Sequence, residues 1–214
     1  MWRLFIITTL APFLAGGVLA HLFGVRVWAT NPDLSESVGS ILSRLLTRLD
    51  RGDIKLSYGK VSPWMNHSED SIRFPKSYLE SKKSSHAARA MIQIGIYLLH
   101  EKHASTVDWR LKAIKTGYIL PVFVLLIVSF SFVVAKLPAL VVVAALAGSL
   151  GLCSTLLWLS LAVEKEAAHL MVSRIEKLRL MRRLRDEESL VSSTLAAPWV
   201  SLIPGVLLKL IVRD

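Results

Sequence analysis

Two uncharged stretches decide the fold: Gly117–Ala135, GYILPVFVLLIVSFSFVVA, and Leu137–Val163, LPALVVVAALAGSLGLCSTLLWLSLAV. An α-helix needs about 20 apolar residues to cross the hydrocarbon core of a bilayer, and both stretches are close to that length or longer. Only Lys136 and Pro138 interrupt the join between them. The sequence therefore predicts two membrane-spanning helices connected by a tight hairpin.

The N-terminal region predicts a further span. Leu4–Val25 has one ionisable side chain, His21, and Trp2 and Trp28 flank the run at positions that suit the two membrane interfaces. A cleaved signal peptide is the alternative, because Val27-Trp28-Ala29 offers the small residues of a cleavage site. We favour a retained span, since a single charge precedes the apolar run.

A fourth uncharged run covers Leu190–Leu208. Two prolines, Pro198 and Pro204, interrupt it, and the polar residues Ser192–Thr194 weaken its start. Proline removes a backbone donor and kinks or ends a helix, so the run is open to three interpretations: a span, a re-entrant segment or an interfacial segment. The expected fold class is a membrane α-helical protein with three or four transmembrane helices and a small α+β domain.

Charge predicts the orientation of these helices. The 214 residues are 53% hydrophobic and carry a formal net charge of +10. Residues 26–115 contain 15 Lys and Arg and residues 164–191 contain seven, whereas the hairpin tip has only Lys136. Because cytoplasmic loops are enriched in Lys and Arg, both connecting segments are expected in the cytoplasm and the hairpin tip outside.

The segment between the first two spans predicts a helix and two strands. Asp33 and Glu36 are placed for a capping box, and Gly52 for the end of the helix. Ile54–Tyr58 alternates between apolar and polar residues, as a half-buried strand does. Ser71–Phe74 is its expected partner strand, which Pro75 ends. A turn region with Pro63 and Asn66 separates the two strands. The apolar stripe of the helix consists of Leu34, Val38, Ile41, Leu42, Leu45 and Leu49.

Two more helices are expected in the polar segments. The first begins near Ser84 or Ser85 and runs to about His103. The second, Glu164–Glu188, combines an apolar side with seven basic residues, which is typical of a basic amphipathic helix. It is either a solvated extension of a span or a helix that binds the membrane surface. Their apolar faces contain Ala87, Ala90, Met91, Ile94 and Leu98 in the first, and Ala168, Met171, Ile175 and Leu178 in the second.

These patterns divide the chain into five parts. They are a first transmembrane helix (1–28), a cytoplasmic α+β domain (29–115), a transmembrane hairpin (116–163), a basic amphipathic cytoplasmic helix (164–189) and a fourth hydrophobic segment (190–214).

Two short motifs flank the hairpin. The stretch from His86 to Gln93, HAARAMIQ, follows the predicted helix and strands, and Val163–Ala168, VEKEAA, follows the third apolar run. This order resembles the YugP-like family of bacterial membrane zinc metallopeptidases, whose members carry H-E-x-G-H-A-I-Q before a hairpin and V-E-[FY]-[DN]-A-S after it. The resemblance covers roughly residues 30–210. The matching residues are His86, Ile92, Gln93, Val163, Glu164 and Ala167.

The resemblance implies a degenerate zincin. In H-E-x-x-H, two histidines one helical turn apart bind zinc and the glutamate is the general base. Here Ala87 stands at the position of the base and Ala90 at that of the second ligand, so only His86 and Glu164, the expected third ligand, remain. The resemblance therefore implies an inactive homologue without a cofactor, located in the bacterial cytoplasmic (inner) membrane. Its degenerate motif is His86, Ala87, Ala90, Gln93 and Glu164.

A peptidase with a rearranged zinc site is the enzyme alternative. In His100-Glu101-Lys102-His103 the histidines are three residues apart instead of four, which departs from the zincin spacing. On a helix they would still share a side, where Glu166 or His169 would complete an unrelated metal site. The residues available for a rearranged site are His86, His100, His103, Glu164 and Glu166.

Other features bear on partners. Small residues recur at helical spacing in two spans and offer close-packing faces, either within the bundle or toward other membrane subunits. The 29–115 segment lacks a recognisable nucleic-acid module, so its positive charge is better explained by anionic lipid. A membrane-surface adaptor that binds lipid or a soluble client is a third functional alternative. Cys153 is the single cysteine, which excludes an intrachain disulfide. The small residues are Gly16, Ala20 and Gly24 in the first span and Ala144, Gly148 and Gly151 in the third.

Overall fold

The computed structural model of the chain describes residues 2–59, 67–68 and 71–203, and most of them are helical. Within these ranges the helices are α1 (Trp2–Ala20), α2 (Arg26–Thr30), α3 (Val38–Arg48), α4 (Ser77–Glu80), α5 (Ser84–His100), α6 (Ala104–Val134), α7 (Ala139–Lys177) and α8 (Leu184–Val200). A π-helical turn, His21–Val25, joins α1 to α2, and the strands are β1 (Lys55–Gly59), β2 (His67–Ser68) and β3 (Ser71–Pro75).

Three helical segments are long and apolar enough to cross a membrane: Ile6–Thr30, α6 and α7. The three predicted apolar helices are therefore confirmed. Helix α7 lies between the other two, since it packs against α1 and against α6. Residues 135–138 turn the chain from α6 into α7, with Lys136 in the left-handed region at φ 51°. The predicted tight hairpin is thus confirmed.

The domain outside these spans is built around α5. Every residue of α5 is buried or half-buried, and a helix that is covered on all sides belongs in a core. One side of α5 contributes Ala87, Ala90, Met91 and Ile94 to an apolar cluster with α3, β3 and the end of α7. Another side packs in a second cluster against α7 and α8, and its buried members are Ala88, Ile92, Ile96, Leu99, Val107, Val163, Ala167, Ala168 and Ala197.

The two predicted strands form, and they pair in parallel. Lys55 is opposite Ser71 and Gly59 is opposite Pro75, while β2 joins the other edge of β3 in the antiparallel sense. Ile72 and Phe74 point into the core and are fully buried. Pro75 ends the strand as expected. The predicted turn region with Pro63 and Asn66 lies outside the described residues.

The predicted start and end of the first domain helix are wrong. Ser37, not Asp33, is the N-cap of α3, and its side chain accepts a hydrogen bond from the Ser40 amide. The chain before Ser37 is not helical, and there the amide of Leu34 donates a hydrogen bond to the Lys82 carbonyl (2.7 Å). After α3, the left-handed residue is Asp50 (φ 55°) rather than a glycine.

The predicted helix over Glu164–Glu188 is wrong in its extent, although its first part does extend a span, as one of the two interpretations expected. Helix α7 continues from the span to Lys177, the chain turns, and α8 begins at Leu184. The turn is stabilised by Arg48, whose guanidinium donates to the carbonyls of Leu178 and Arg179, the latter at 2.7 Å. An arginine that satisfies the last carbonyls of a helix favours its termination there.

The described part of the fourth hydrophobic run is residues 190–203, which form the larger part of α8 and the turn after it. This helix packs against α5, α7 and the π-helical turn. Its buried side includes Leu190, Thr194 and Ala197. Pro198 lies in the last turn of α8; it has no amide hydrogen to donate to the carbonyl four residues earlier, and the helix ends two residues later. Pro204 and the rest of the run lie outside the described residues, so whether the run crosses the bilayer stays a prediction.

Replacing Gly151 should destabilise the bundle. A Cβ at Gly151 would lie 2.0 Å from the Thr9 carbonyl oxygen, so Gly151→Ala forces α1 and α7 apart. Overpacking of this kind costs about 1–3 kcal/mol. We expect a lower melting temperature in detergent than for the control Gly17→Ala, whose Cβ would meet nothing within 4 Å. Equal melting temperatures would contradict this packing.

Candidate functional site

His86 lies in the first turn of α5 and is 7% exposed. Its Nδ1 is 2.8 Å from the Ser81 hydroxyl oxygen. The imidazole stacks on Tyr78, with ring centroids 4.6 Å apart and an angle of 14° between the planes. These contacts connect the start of α5 to Tyr78 in α4 and to Ser81 in the segment between the two helices. His86 thus has a structural hydrogen-bonding role.

Ala87 and Ala90 occupy the positions of the expected base and second ligand, and both are fully buried. Their methyl groups belong to the apolar cluster that includes Phe74 and Met91. A catalytic zinc centre keeps a coordination position open for water or substrate. The side of α5 that would carry such a centre is instead filled by packed hydrocarbon.

Gln93 is half-buried on α5, and its Oε1 is buried without a hydrogen-bond partner. Four residues earlier, on the same side of the helix, Arg89 lies over the Trp28 ring at 4.9 Å from its centroid. Residues four apart on a helix are neighbours. This side of α5 therefore faces α2 rather than the apolar cluster around Ala90.

Glu164 is buried and forms an ion pair. Its Oε1 accepts hydrogen bonds from Arg110 Nε (2.9 Å) and lies 2.6 Å from Arg110 Nη2. The Glu164 side chain is 4% exposed and the Arg110 side chain is 13% exposed. An arginine that contacts the carboxylate with two nitrogens neutralises it and fixes its orientation. The pair connects α6 to α7 just beyond the apolar part of the hairpin.

The structure does not bring His86 and Glu164 together. Helices α5 and α7 run antiparallel, since Leu99 and Val163 line one cavity while Gly95 packs on Ala167. Glu164 is therefore level with the end of α5, and His86 is in its first turn. At 1.5 Å per residue, they are separated by roughly 20 Å along α5. One zinc ion, with ligand bonds of about 2 Å, cannot bind both.

The residues of the rearranged site are also dispersed. His100 Nε2 lies 3.6 Å from Asp108 Oδ1 in an exposed pair. His103 and Glu166 line a cavity of about 220 Å³ with Leu99, Thr106, Val107 and Val163. In the described ranges, three His, Cys, Asp or Glu side chains never converge on one point.

The small residues of the spans make close contacts within the chain. A Cβ at Gly24 would lie 2.5 Å from Val200 Cγ2, and one at Gly16 would lie 3.2 Å from Trp158 Nε1. Trp158 donates a hydrogen bond to the Pro12 carbonyl (3.1 Å). Ala20 and Ala144 are buried and Gly148 is half-buried, whereas Gly151 contacts the Thr9 backbone as described above. The small residues therefore contribute to packing among α1, α7 and α8.

A polar contact between the first span and α8 was not predicted from the sequence. Asn31 Nδ2 donates to the hydroxyls of Ser192 (2.8 Å) and Ser193 (2.7 Å). Trp28 Nε1 donates to the Ser193 carbonyl at 3.0 Å. The serines that weaken the apolar run are thus satisfied by the end of the first helix. The available signal was that buried polar groups need partners.

Comparisons with family models, with curated proteins and with solved structures find no match for this chain. The observed class is a mostly helical protein with three helices of membrane-spanning length and a small α+β domain. The resemblance to the YugP-like family stays a prediction, because it depends on the order of motifs in the sequence.

Restoring the family motif should destabilise the chain without creating a zinc site. In Ala87→Glu/Ala90→His, a carboxylate and an imidazole enter the apolar cluster, and burying such groups costs more than about 2 kcal/mol. We expect a lower melting temperature and no stoichiometric zinc by elemental analysis. Thr47→Glu, which adds a carboxylate at an exposed position of α3, is the control. Tight zinc binding by the double variant would disprove the described packing.

Breaking the buried ion pair should be costly. Glu164→Gln leaves Arg110 buried without its counter-ion, which typically costs about 3–5 kcal/mol. The double variant Arg110→Met/Glu164→Leu should recover most of this loss in thermal unfolding experiments. Glu101→Gln, at the more exposed Arg51–Glu101 pair, is the control and should cost about 0–1 kcal/mol. Equal effects of the two glutamine variants would refute the role of the buried pair.

Proposed function

We propose that the chain is a catalytically inactive homologue of the YugP-like membrane metallopeptidases, acting as a structural or accessory subunit of a membrane protein complex. The observation that carries the proposal is the state of the motif positions. Ala87 and Ala90 are packed in the core, and His86 and Glu164 have separate partners. Such an arrangement provides no general base at the two motif positions to activate a metal-bound water.

The proposed location is the bacterial cytoplasmic membrane, with the α+β domain on the cytoplasmic side. The excess of Lys and Arg in residues 26–115 and 164–191 supports this orientation. The inner faces of α1 and α6 are covered by α7, while their outer faces are apolar and exposed. These outer faces are available to lipid and to other membrane helices.

One polar residue favours a partner at the outer face of the first span. His21 is exposed and lies in the π-helical turn, roughly 10 Å along the helix from Trp28 at 1.5 Å per residue. Ionisable side chains within a span are costly in hydrocarbon and normally face another helix or water. A partner helix with a polar group at this depth would satisfy His21.

Copurification from native membranes tests this proposal. Under mild detergent we expect the tagged chain to elute with other membrane subunits in fixed proportions, and His21→Leu to lose them. His103→Leu, which removes an exposed histidine outside the spans, is the control. A chain that elutes alone as a monomer, in wild-type and variant form alike, would exclude the accessory-subunit role.

The peptidase alternative has one supporting observation, the cavity shared by His103 and Glu166. Zinc analysis and casein cleavage by the purified chain distinguish it from the proposed role. Stoichiometric zinc, with proteolysis abolished in His103→Ala and retained in the exposed-site control Thr47→Ala, would replace the proposal. We expect neither stoichiometric zinc nor casein cleavage.

A further inference from the structure

A groove of about 260 Å³ lies between α7 and α8. Helix α7 lines it with two titratable side chains, Lys165 and His169. Helix α8 contributes Leu195 and Trp199 as exposed or half-buried walls. The remaining lining residues are Ala168 and Pro198.

The groove lies at the end of the predicted span. The uncharged part of α7 ends at Val163, two residues before Lys165. The Trp199 ring is 5.3 Å from the ring of Phe23, which belongs to the first span. Lysine and tryptophan at the end of a hydrophobic helix are typical of the level of the lipid headgroups.

The groove has the charge to bind an anion. Lys165 Nζ lies 4.1 Å from the centroid of the Trp199 ring, a cation–π contact that leaves ammonium N–H groups free to donate. His169 is one turn further along α7 and exposed, so the two side chains are neighbours. The adjacent carboxylates lie elsewhere: Glu164 is paired with Arg110, and Glu166 lines the other cavity.

We propose that this groove binds the phosphate of an anionic phospholipid, with the apolar walls around Leu195 and Pro198 contacting its glycerol and upper acyl chain. The inference rests on the proposed location in a membrane. It also takes the place of one of the two interpretations of 164–188, a helix that binds the membrane surface. Because α7 leaves the span without a break, its later basic residues extend away from the headgroups.

Native mass spectrometry of the full chain in detergent tests the inference, with phosphatidylglycerol and phosphatidylcholine as probes. We expect wild-type protein to retain phosphatidylglycerol preferentially. Lys165→Gln should lower its occupancy about fivefold, since one cation near a headgroup contributes about that factor. Lys165→Arg should keep the preference, and Lys177→Gln, an equal change of charge at an exposed residue of α7, should have no effect.

The possible outcomes are distinguishable. Equal retention of the two lipids, or equal losses in Lys165→Gln and Lys177→Gln, would overturn the headgroup site. Displacement of the lipid by millimolar inorganic phosphate would assign the groove to a soluble anion instead. If the chain copurifies with its partners but shows no lipid preference, only this inference fails. If it is recovered from cells without detergent, the proposed membrane role fails as well.

Discussion

The close approach of α5 to α7 at Gly95 connects the two halves of the molecule. A Cβ at Gly95 would lie 2.8 Å from the Ala167 carbonyl oxygen and 2.9 Å from Met171 Cγ, so only glycine allows the helices this distance. Helix α7 is continuous over 39 residues, from the hairpin to the domain core. Packing at Gly95 therefore fixes the α+β domain directly to a membrane-length helix, and α3, the sheet and α8 assemble around that pair.

This central position of α5 explains why small side chains occupy its first turns. The side of α5 that carries Ala87 and Ala90 is covered by the apolar cluster around Phe74 and Met91. The small side chains at Ala87, Ala88 and Ala90 suit close packing against α3, β3 and α7. Glutamate and histidine at two of these positions would have to be buried without partners, at considerable cost. Alanine at these positions is therefore what the packing requires.

Features that depend on local pattern could be predicted from the sequence, and features that depend on distant contacts could not. Apolar length predicted the three long helices, and alternation predicted both main strands. The start of α3 depends on the hydrogen bond from the Leu34 amide to the Lys82 carbonyl. The end of α7 depends on the hydrogen bond that the Arg48 guanidinium donates to the Arg179 carbonyl. Similarly, the partner of Glu164 could not be predicted. Arg110 is 54 residues away, and its contact depends on the register between α6 and α7.

The polar groups close to the predicted bilayer divide into two sets by where they find partners. Ser192 and Ser193 bind Asn31, so their polarity stabilises the contact between the first span and α8. His21 and Lys165, by contrast, lie where the chain meets its surroundings. Since polar groups at a bilayer surface or within it need compensation, those that the chain satisfies itself determine its fold. The outward-facing ones indicate contacts with other molecules. In this chain, the lateral surface is accordingly where the proposed contacts with lipid and with other membrane helices are to be tested.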